Sequence, residues 1–366
     1  MINILTTVIA MFNQEPDINK MGFLASFFKT PPDGFTDAEY MEYDVVRSGM
    51  ESAPVVRHLS TGAVTIVEDT FTNKQIPFPV YALDSPVNIA RLMSRLPGES
   101  GYIEERANWL GRLLRILVRA FAKMTRMIRF SIEEQAAQVL QKGTLTLTDE
   151  NGNPTYELDF KPKATHFPEA SVSWDNPEAD ILNDIDNLSE VIQADGYVDV
   201  TTLIFGKKAW AAAYKNREFR EAVKKDNLGM GSLNPQLKDR GAKLMGYIEI
   251  GAYRYDMYLY NAIYTPWGTT TPVNYVDPDK VIFLPDPDDL DFRRIFGGIP
   301  NIKVDPVFDP IFSGKIPIGN EYDFRPRVYF DEPKETYVGE IKSRPATIPV
   351  SIDRYGCLTA IIPEED

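Results

Sequence analysis

Residues 101–142 read GYIEERANWLGRLLRILVRAFAKMTRMIRFSIEEQAAQVLQK, and the fold turns on how this stretch is read. Leu110, Leu113, Leu114, Leu117, Phe121, Met124 and Ile128 recur at three and four residue steps, which puts them on one helical face. Arg112, Arg115, Arg119, Lys123, Arg126 and Arg129 recur at the same steps on another face. Glu104 and Glu105 near the start and Lys142 near the end suit the helix dipole, and Gly143 is placed to stop it. The spacing predicts a helix from about Gly101 to Lys142. At ~1.5 Å per residue it would run on the order of 60 Å, longer than a domain of ordinary size needs for its own core.

Working outward, the stretch Ala53 to Leu83 predicts a long two-stranded hairpin. Val55-Val56-Arg57-His58-Leu59 and Ala63-Val64-Thr65-Ile66-Val67 are β-branched and are answered by Ile76-Pro77-Phe78-Pro79-Val80-Tyr81, with Thr72-Asn73-Lys74 as the turn. Pro77 and Pro79 remove ladder donors, so the hairpin has an exposed edge. Residues 1–48 hold a short apolar run, the aromatic-rich Gly22 to Phe28 and a Pro31-Pro32-Asp33-Gly34 turn, too little pattern for an independent core. The apolar run Ile2 to Phe12 lacks a preceding basic residue and a small-residue cleavage site, and it reads as an arm rather than a signal.

After the helix, Thr144 to Thr148 and Thr155 to Phe160 predict a hairpin around Asp149-Glu150-Asn151-Gly152-Asn153. From Trp174 the elements alternate, as in a second domain. Asp175 caps a helix to about Ala194, Tyr197 to Phe205 is a strand, and Lys207 to Lys225 is a helix carrying Trp210, Tyr214 and Phe219. Tyr247 to Ile263 is a hairpin turning near Gly251. Val281 to Leu284, Arg325 to Phe330, Thr336 to Lys342 and Ala346 to Ile352 are strands. The class is α+β.

A chain of 366 residues, 43% of them hydrophobic, buries a sizeable core. Its 39 Lys plus Arg against 53 Asp plus Glu give a net charge of −14, which argues against nonspecific wrapping of nucleic acid by the whole surface. A single cysteine, Cys357, excludes an internal disulfide framework and a Cys-rich zinc site. No apolar, uncharged stretch approaches the ~20 residues of a membrane-spanning helix.

Chemistry is hard to find. His58 and His166 are the two histidines, and neither has a ligand partner at helical spacing. Phosphate-binding glycine loops are absent. The Asp286, Asp288, Asp289, Asp291 cluster lacks the Gly and terminal Glu of a calcium loop and reads as a solvated, proline-containing turn. No catalytic residue, metal or cofactor is expected. The basic stripe is the informative feature: in an acidic chain it makes an asymmetric field that suits a phosphate backbone without reading sequence, and a face paired with neighbouring acids remains the alternative.

Taken in order, these parts resemble the major capsid proteins of tailed bacteriophages, most closely the lambda-type capsid protein E family. The resemblance rests on Leu5-Thr6-Thr7 with the apolar run after it, Gly22 to Phe28, the loop Ala53 to Leu83, and a long helix ending Val139-Leu140-Gln141-Lys142-Gly143 before a hairpin. It continues through Thr202-Leu203-Ile204-Phe205-Gly206-Lys207-Lys208-Ala209-Trp210, Ile248-Glu249-Ile250-Gly251 to Tyr260, Asp277-Pro278-Asp279-Lys280-Val281-Ile282-Phe283-Leu284 and Gly297-Gly298-Ile299.

The resemblance implies the Hong Kong 97-type capsid fold. Its parts would be an N-terminal arm (1–48), an extended β-hairpin loop (49–86), a peripheral domain with a spine helix (87–173), an axial domain (174–320), peripheral return strands (321–345) and a C-terminal segment (346–366). It implies hexamers and pentamers in an icosahedral shell around double-stranded DNA, assembled in the host cytoplasm with a scaffold, a portal and a decoration protein. Phe27, Phe28, Val64, Ile66, Phe71, Lys74 and Phe78 are the expected contacts between subunits, and Arg112 to Arg129 the expected inner-surface stripe. Some shells of this fold are welded by a Lys to Asn bond. Lys74 is expected at the loop tip, but no asparagine follows Asn320, so a noncovalent shell is expected. Deleting residues 1–30 is expected to leave a soluble chain that forms no closed shell. An encapsulin-like nanocompartment is the near alternative, with a multidomain hydrolase or a tail or baseplate protein more remote.

Overall fold

The computed structural model describes residues 22–32, 34–36, 40–46, 71–88, 92, 109–149, 152–224, 237–238, 241–299 and 324–362. A hairpin lies where one is expected, but its strands are β1 (Tyr40–Val46) and β2 (Phe71–Pro77). They pair antiparallel with Tyr40 opposite Pro77 and Val46 opposite Phe71. This corrects two expectations. Thr72-Asn73-Lys74 is not the turn: Lys74 sits mid-strand opposite Tyr43. Tyr40 to Val46, which the sequence reading left within the arm, forms the first strand of this pair. The triplet has no glycine to take the positive φ of a tight turn, while Tyr40, Tyr43, Val45 and Val46 are aromatic or β-branched and suit a ladder. Val55 to Leu59 and Ala63 to Val67 lie outside the described residues.

A separate strand, β3 (Tyr81–Val87), leads toward the long helix, described as α1 from Trp109 to Lys142. Gly143 stops α1 with a left-handed φ of 63°, and its amide donates to the Val139 carbonyl. The expected hairpin follows as β4 (Thr144–Thr148) and β5 (Pro154–Asp159).

The second half carries α2 (Ile181–Gly196), β6 (Val200–Phe205), α3 (Lys207–Lys215), α4 (Arg217–Ala222), β7 (Val223–Lys224), β8 (Ala242–Ile250), β9 (Tyr253–Tyr260) and β10 (Lys280–Pro285). Beyond these lie β11 (Phe292–Gly297), β12 (Arg325–Asp331), β13 (Thr336–Ser343), β14 (Pro345–Pro349) and β15 (Gly356–Thr359). Two local expectations change. Asp180, not Asp175, caps α2, because Pro177 and neighbouring backbone bonds hold residues 173–179 in turns; the Asp180 carboxylate accepts from the Asn183 amide at 3.1 Å. The expected helix Lys207 to Lys225 breaks at Asn216, whose side chain accepts from the Glu218 and Phe219 amides and starts α4.

The large sheet has the order β15-β10-β6-β9-β8-β7, with Leu237–Lys238 also on β8. Only β6 and β9 run parallel within it. Alternate residues divide its two faces. Leu203, Phe205, Tyr255, Met257, Val281 and Phe283 pack against α2, α3 and α4, where the Phe205 ring meets Trp174, Trp210 and Phe219. Ile204, Ile282, Leu284 and Tyr260 belong instead to the core built on α1. Helix α1 is therefore shared: it also underlies the antiparallel sheet β12-β13-β3 and the sheet that joins Phe35–Thr36, β11 and β14.

Candidate assembly surfaces

Leu113, Leu117, Phe121, Met124 and Ile128 are buried, and the stripe extends to Ile132, Ala136, Val139 and Leu140. Among the six cations the structure makes a division. Arg115, Arg119, Lys123 and Arg126 are exposed, whereas Arg112 and Arg129 are buried. The Arg129 guanidinium lies 4.8 Å from the Phe324 ring centroid, the stacked geometry in which an arginine loses water at least cost. The outward basic surface is thus four residues wide, not six. Arg119, Lys123 and Arg126 meet no acidic partner among the described residues.

One carboxylate on the buried side of α1 escaped the sequence reading. Glu133 is 2% exposed and accepts from the Leu24 amide at 2.9 Å, the Ala25 amide at 2.8 Å and the Tyr260 hydroxyl at 2.6 Å. It satisfies the first donors of the short 3₁₀ turn Leu24–Phe27 and seats that turn on α1. A Cβ at Gly22 would collide with the same carboxylate, which explains the glycine. The available signal was an acid amid the apolar steps Ile128, Ile132, Ala136 and Leu140, with only Gly22 to hint at what it holds.

This seating alters the reading of the aromatic contacts. Phe27 and Phe28 are buried in the subunit's own core, and Phe28 stacks on Phe292 at 5.0 Å between centroids. Phe78 is buried too, against Gly297 and under the Arg344 guanidinium, 5.3 Å from its ring centroid. All three were expected between subunits and are consumed within one, since the chain returns through β11 and β14 to cover them. The expected soluble 1–30 deletion changes with them, because it would remove Phe23, Leu24, Phe27 and Phe28 from that core. Phe71 and Lys74 belong to β2; Val64 and Ile66 lie outside the described residues.

The remaining polar groups serve the fold. His166 is fully buried, with Nδ1 2.8 Å from the Tyr355 carbonyl and Nε2 3.0 Å from Asp195. The Lys163 ammonium, 2.7 Å from Asp195, holds that carboxyl below its usual range, helped by His166 and opposed by partial burial. His58 lies outside the described residues. In the acidic loop, Asp286 accepts from the Asp288 amide, Asp288 pairs with Lys29 at 2.8 Å and Asp291 grips Arg293 through two bonds of 2.7 and 2.8 Å. Burial pushes the Cys357 thiol up to about 12, which leaves it unreactive. Among the described residues no group of three or more His, Cys, Asp or Glu is placed to hold a metal, and no helix is long and apolar enough to cross a membrane.

Comparison with known proteins finds solved structures of similar fold, one of them above a TM-score of 0.5. It is a protein described as the capsid protein of an E. coli CFT073 prophage, with a TM-score of 0.65 and 14% identity over 97% of this chain and 98% of that one. A phage-related protein from Bordetella bronchiseptica RB50 follows at 0.49, with 12% identity over 97% of both chains. A virus-like particle from Pyrococcus furiosus scores 0.40, with 11% identity over 96% of both. No curated protein matches the sequence. At these identities the structural likeness speaks for the fold, the α+β architecture of Hong Kong 97-type capsid proteins. The sequence itself carries the family assignment: the model of phage major capsid protein E matches residues 5–313, and the chain belongs to that family.

Proposed function

We propose that this major capsid protein assembles through noncovalent contacts, as hexamers and pentamers, into a closed icosahedral shell around packaged double-stranded DNA. The observation that carries the reading is the β1–β2 hairpin. It is a two-stranded sheet with no third strand among the described residues, and such a ribbon is marginal in water by itself. A neighbouring subunit is the natural cover, and repeated contacts of this kind close rings and shells. In the terms of the fold, residues before β1 are the arm, β1–β2 the stem of the extended loop, α1 with β12, β13 and β3 the peripheral domain, and α2 to β10 the axial domain. No enzymatic role enters this reading, and scaffold, portal and decoration proteins are its expected partners in the host cytoplasm.

The exposed Arg115, Arg119, Lys123 and Arg126 face the packaged duplex as nonspecific phosphate neutralisers. An encapsulin-like shell, the rival within the fold, has less use for such a surface on its interior. The test is negative-stain microscopy and sizing chromatography of the purified chain, then of particles made with scaffold and packaging machinery. Closed shells whose DNA content falls when Arg119, Lys123 and Arg126 are all changed to Glu support the reading. Persistent monomers even with added scaffold refute the shell, and unchanged DNA content refutes the assigned role of the basic face.

A further inference from the structure

The charges of the large-sheet half are sorted by helix. Residues 164–206 contain nine acids, Glu169, Asp175, Glu178, Asp180, Asp184, Asp186, Glu190, Asp195 and Asp199, and no Lys or Arg. The next nineteen, 207–225, contain seven cations, Lys207, Lys208, Lys215, Arg217, Arg220, Lys224 and Lys225, against Glu218 and Glu221. Folding keeps the sorting. Helices α2, α3 and α4 share one face of the large sheet, with α2 beside β15 and β6, α3 over β9, and α4 beside β7 at the other edge.

Part of this charge is answered within the subunit: Lys208 pairs with Asp279, Arg217 with Glu221, Asp195 with Lys163, and Asp184 accepts from Trp174 and Ser171. Also exposed are Glu169, Asp175, Glu178 and Glu190 on the α2 side and Lys207, Lys215 and Arg220, together with the acid Glu218, on the other. None of these eight has an ion-pair partner among the described residues, although the Arg220 charge helps to hold the Glu221 carboxyl low. Where the two sets approach, the contact is neutral: the Asn216 amide group donates to the Ala179 carbonyl at 3.0 Å.

We infer that the acidic surface of α2 and the turns before it on one copy docks against the basic face of α3 and α4 on the next copy, in a repeated head-to-tail contact. The inference rests on the shell reading above and specifies one contact within it. Two different patches on one chain make a heterologous interface, which closes into a ring when the rotation between copies permits. A two-fold pair could also set each acidic patch against the other copy's basic patch, but it would stop at a dimer, whereas the repeated head-to-tail contact closes a ring. The contact is made of exposed charges, so it is sensitive to salt, with a screening length of ~8 Å at physiological strength and ~3 Å at 1 M.

Two full-length variants test this, one carrying Glu178→Lys with Glu190→Lys, the other Lys215→Glu with Arg220→Glu. All four side chains are exposed, and circular dichroism melts check that the subunit is intact. Ring and shell yield is read by sizing chromatography and microscopy over a range of protein concentration. Each variant alone is expected to need at least tenfold more protein to assemble than the natural chain. An equimolar mixture of the two is expected to recover six-membered rings, because alternating copies restore opposite charges at every junction there, while a five-membered ring keeps one like-charged junction. Variants that assemble like the natural chain while it forms shells overturn this contact and leave the shell reading standing. Impaired variants whose mixture is no better than either alone also overturn it. Failure of the natural chain itself to assemble with scaffold overturns the shell reading and this contact with it.

Discussion

Replacing Glu133 by alanine removes one acceptor group from three donors: the Leu24 amide, the Ala25 amide and the Tyr260 hydroxyl. Glu133, Leu24 and Ala25 are all nearly or fully buried, so water cannot enter without opening the site. An unsatisfied buried donor costs ~1–3 kcal/mol, and bonds to an ionised acceptor lie at the upper end. Since the three share one acceptor and relax together, the expected loss is ~3–5 kcal/mol rather than a full sum. Glu133→Gln keeps one oxygen but turns an NH₂ toward a donor, so it should lose ~1–3 kcal/mol. The assay is hydrogen exchange at Leu24 and Ala25 in the unassembled subunit, with urea unfolding alongside. At one decade per 1.4 kcal/mol, the alanine variant should exchange there at least on the order of 100-fold faster, and the glutamine variant should fall between it and the natural chain. Gly22→Ala, which drives a methyl group into the same carboxylate, should show the same local signature. Unchanged protection at both amides in the alanine variant would mean that the apolar contacts of Phe23, Leu24 and Phe27 seat the turn without Glu133.

Deleting residues 1–30 should give insoluble or unfolded subunit rather than a soluble, assembly-deficient one, because Phe23, Leu24, Phe27 and Phe28 leave the core; a monomer that melts like the natural chain would contradict this. Asp195 should contribute to acid sensitivity. Its folded pKa is depressed, so its stabilisation is present above the ordinary carboxylate range and is lost as pH falls through the folded value; Asp195→Asn should flatten the acid limb of a urea-midpoint against pH curve, and an identical limb would remove Asp195 from the account. Purified particles boiled in detergent should run as a single band near the 41.4 kDa subunit, and a ladder of covalent multimers would contradict a noncovalent shell.

Much of this molecule was legible in the chain because it depends on residues close in sequence. The apolar steps from Leu113 to Ile128, the stop at Gly143, the hairpin of β4 and β5 and the hairpin of β8 and β9 follow from side-chain spacing and turn chemistry, which act over a few residues. Order along the chain also identified the capsid family, since each element could be placed against the next. Tertiary structure decided what distant segments do to one another. Pairing with Tyr40 to Val46 put Lys74 in a strand, because a ladder formed across some thirty residues outweighed a weak local turn. Phe324 covered Arg129 and narrowed the basic face. Glu133, a helical acid by sequence alone, became the anchor of a segment 109 residues away, because only folding brings buried donors to a carboxylate that must be satisfied.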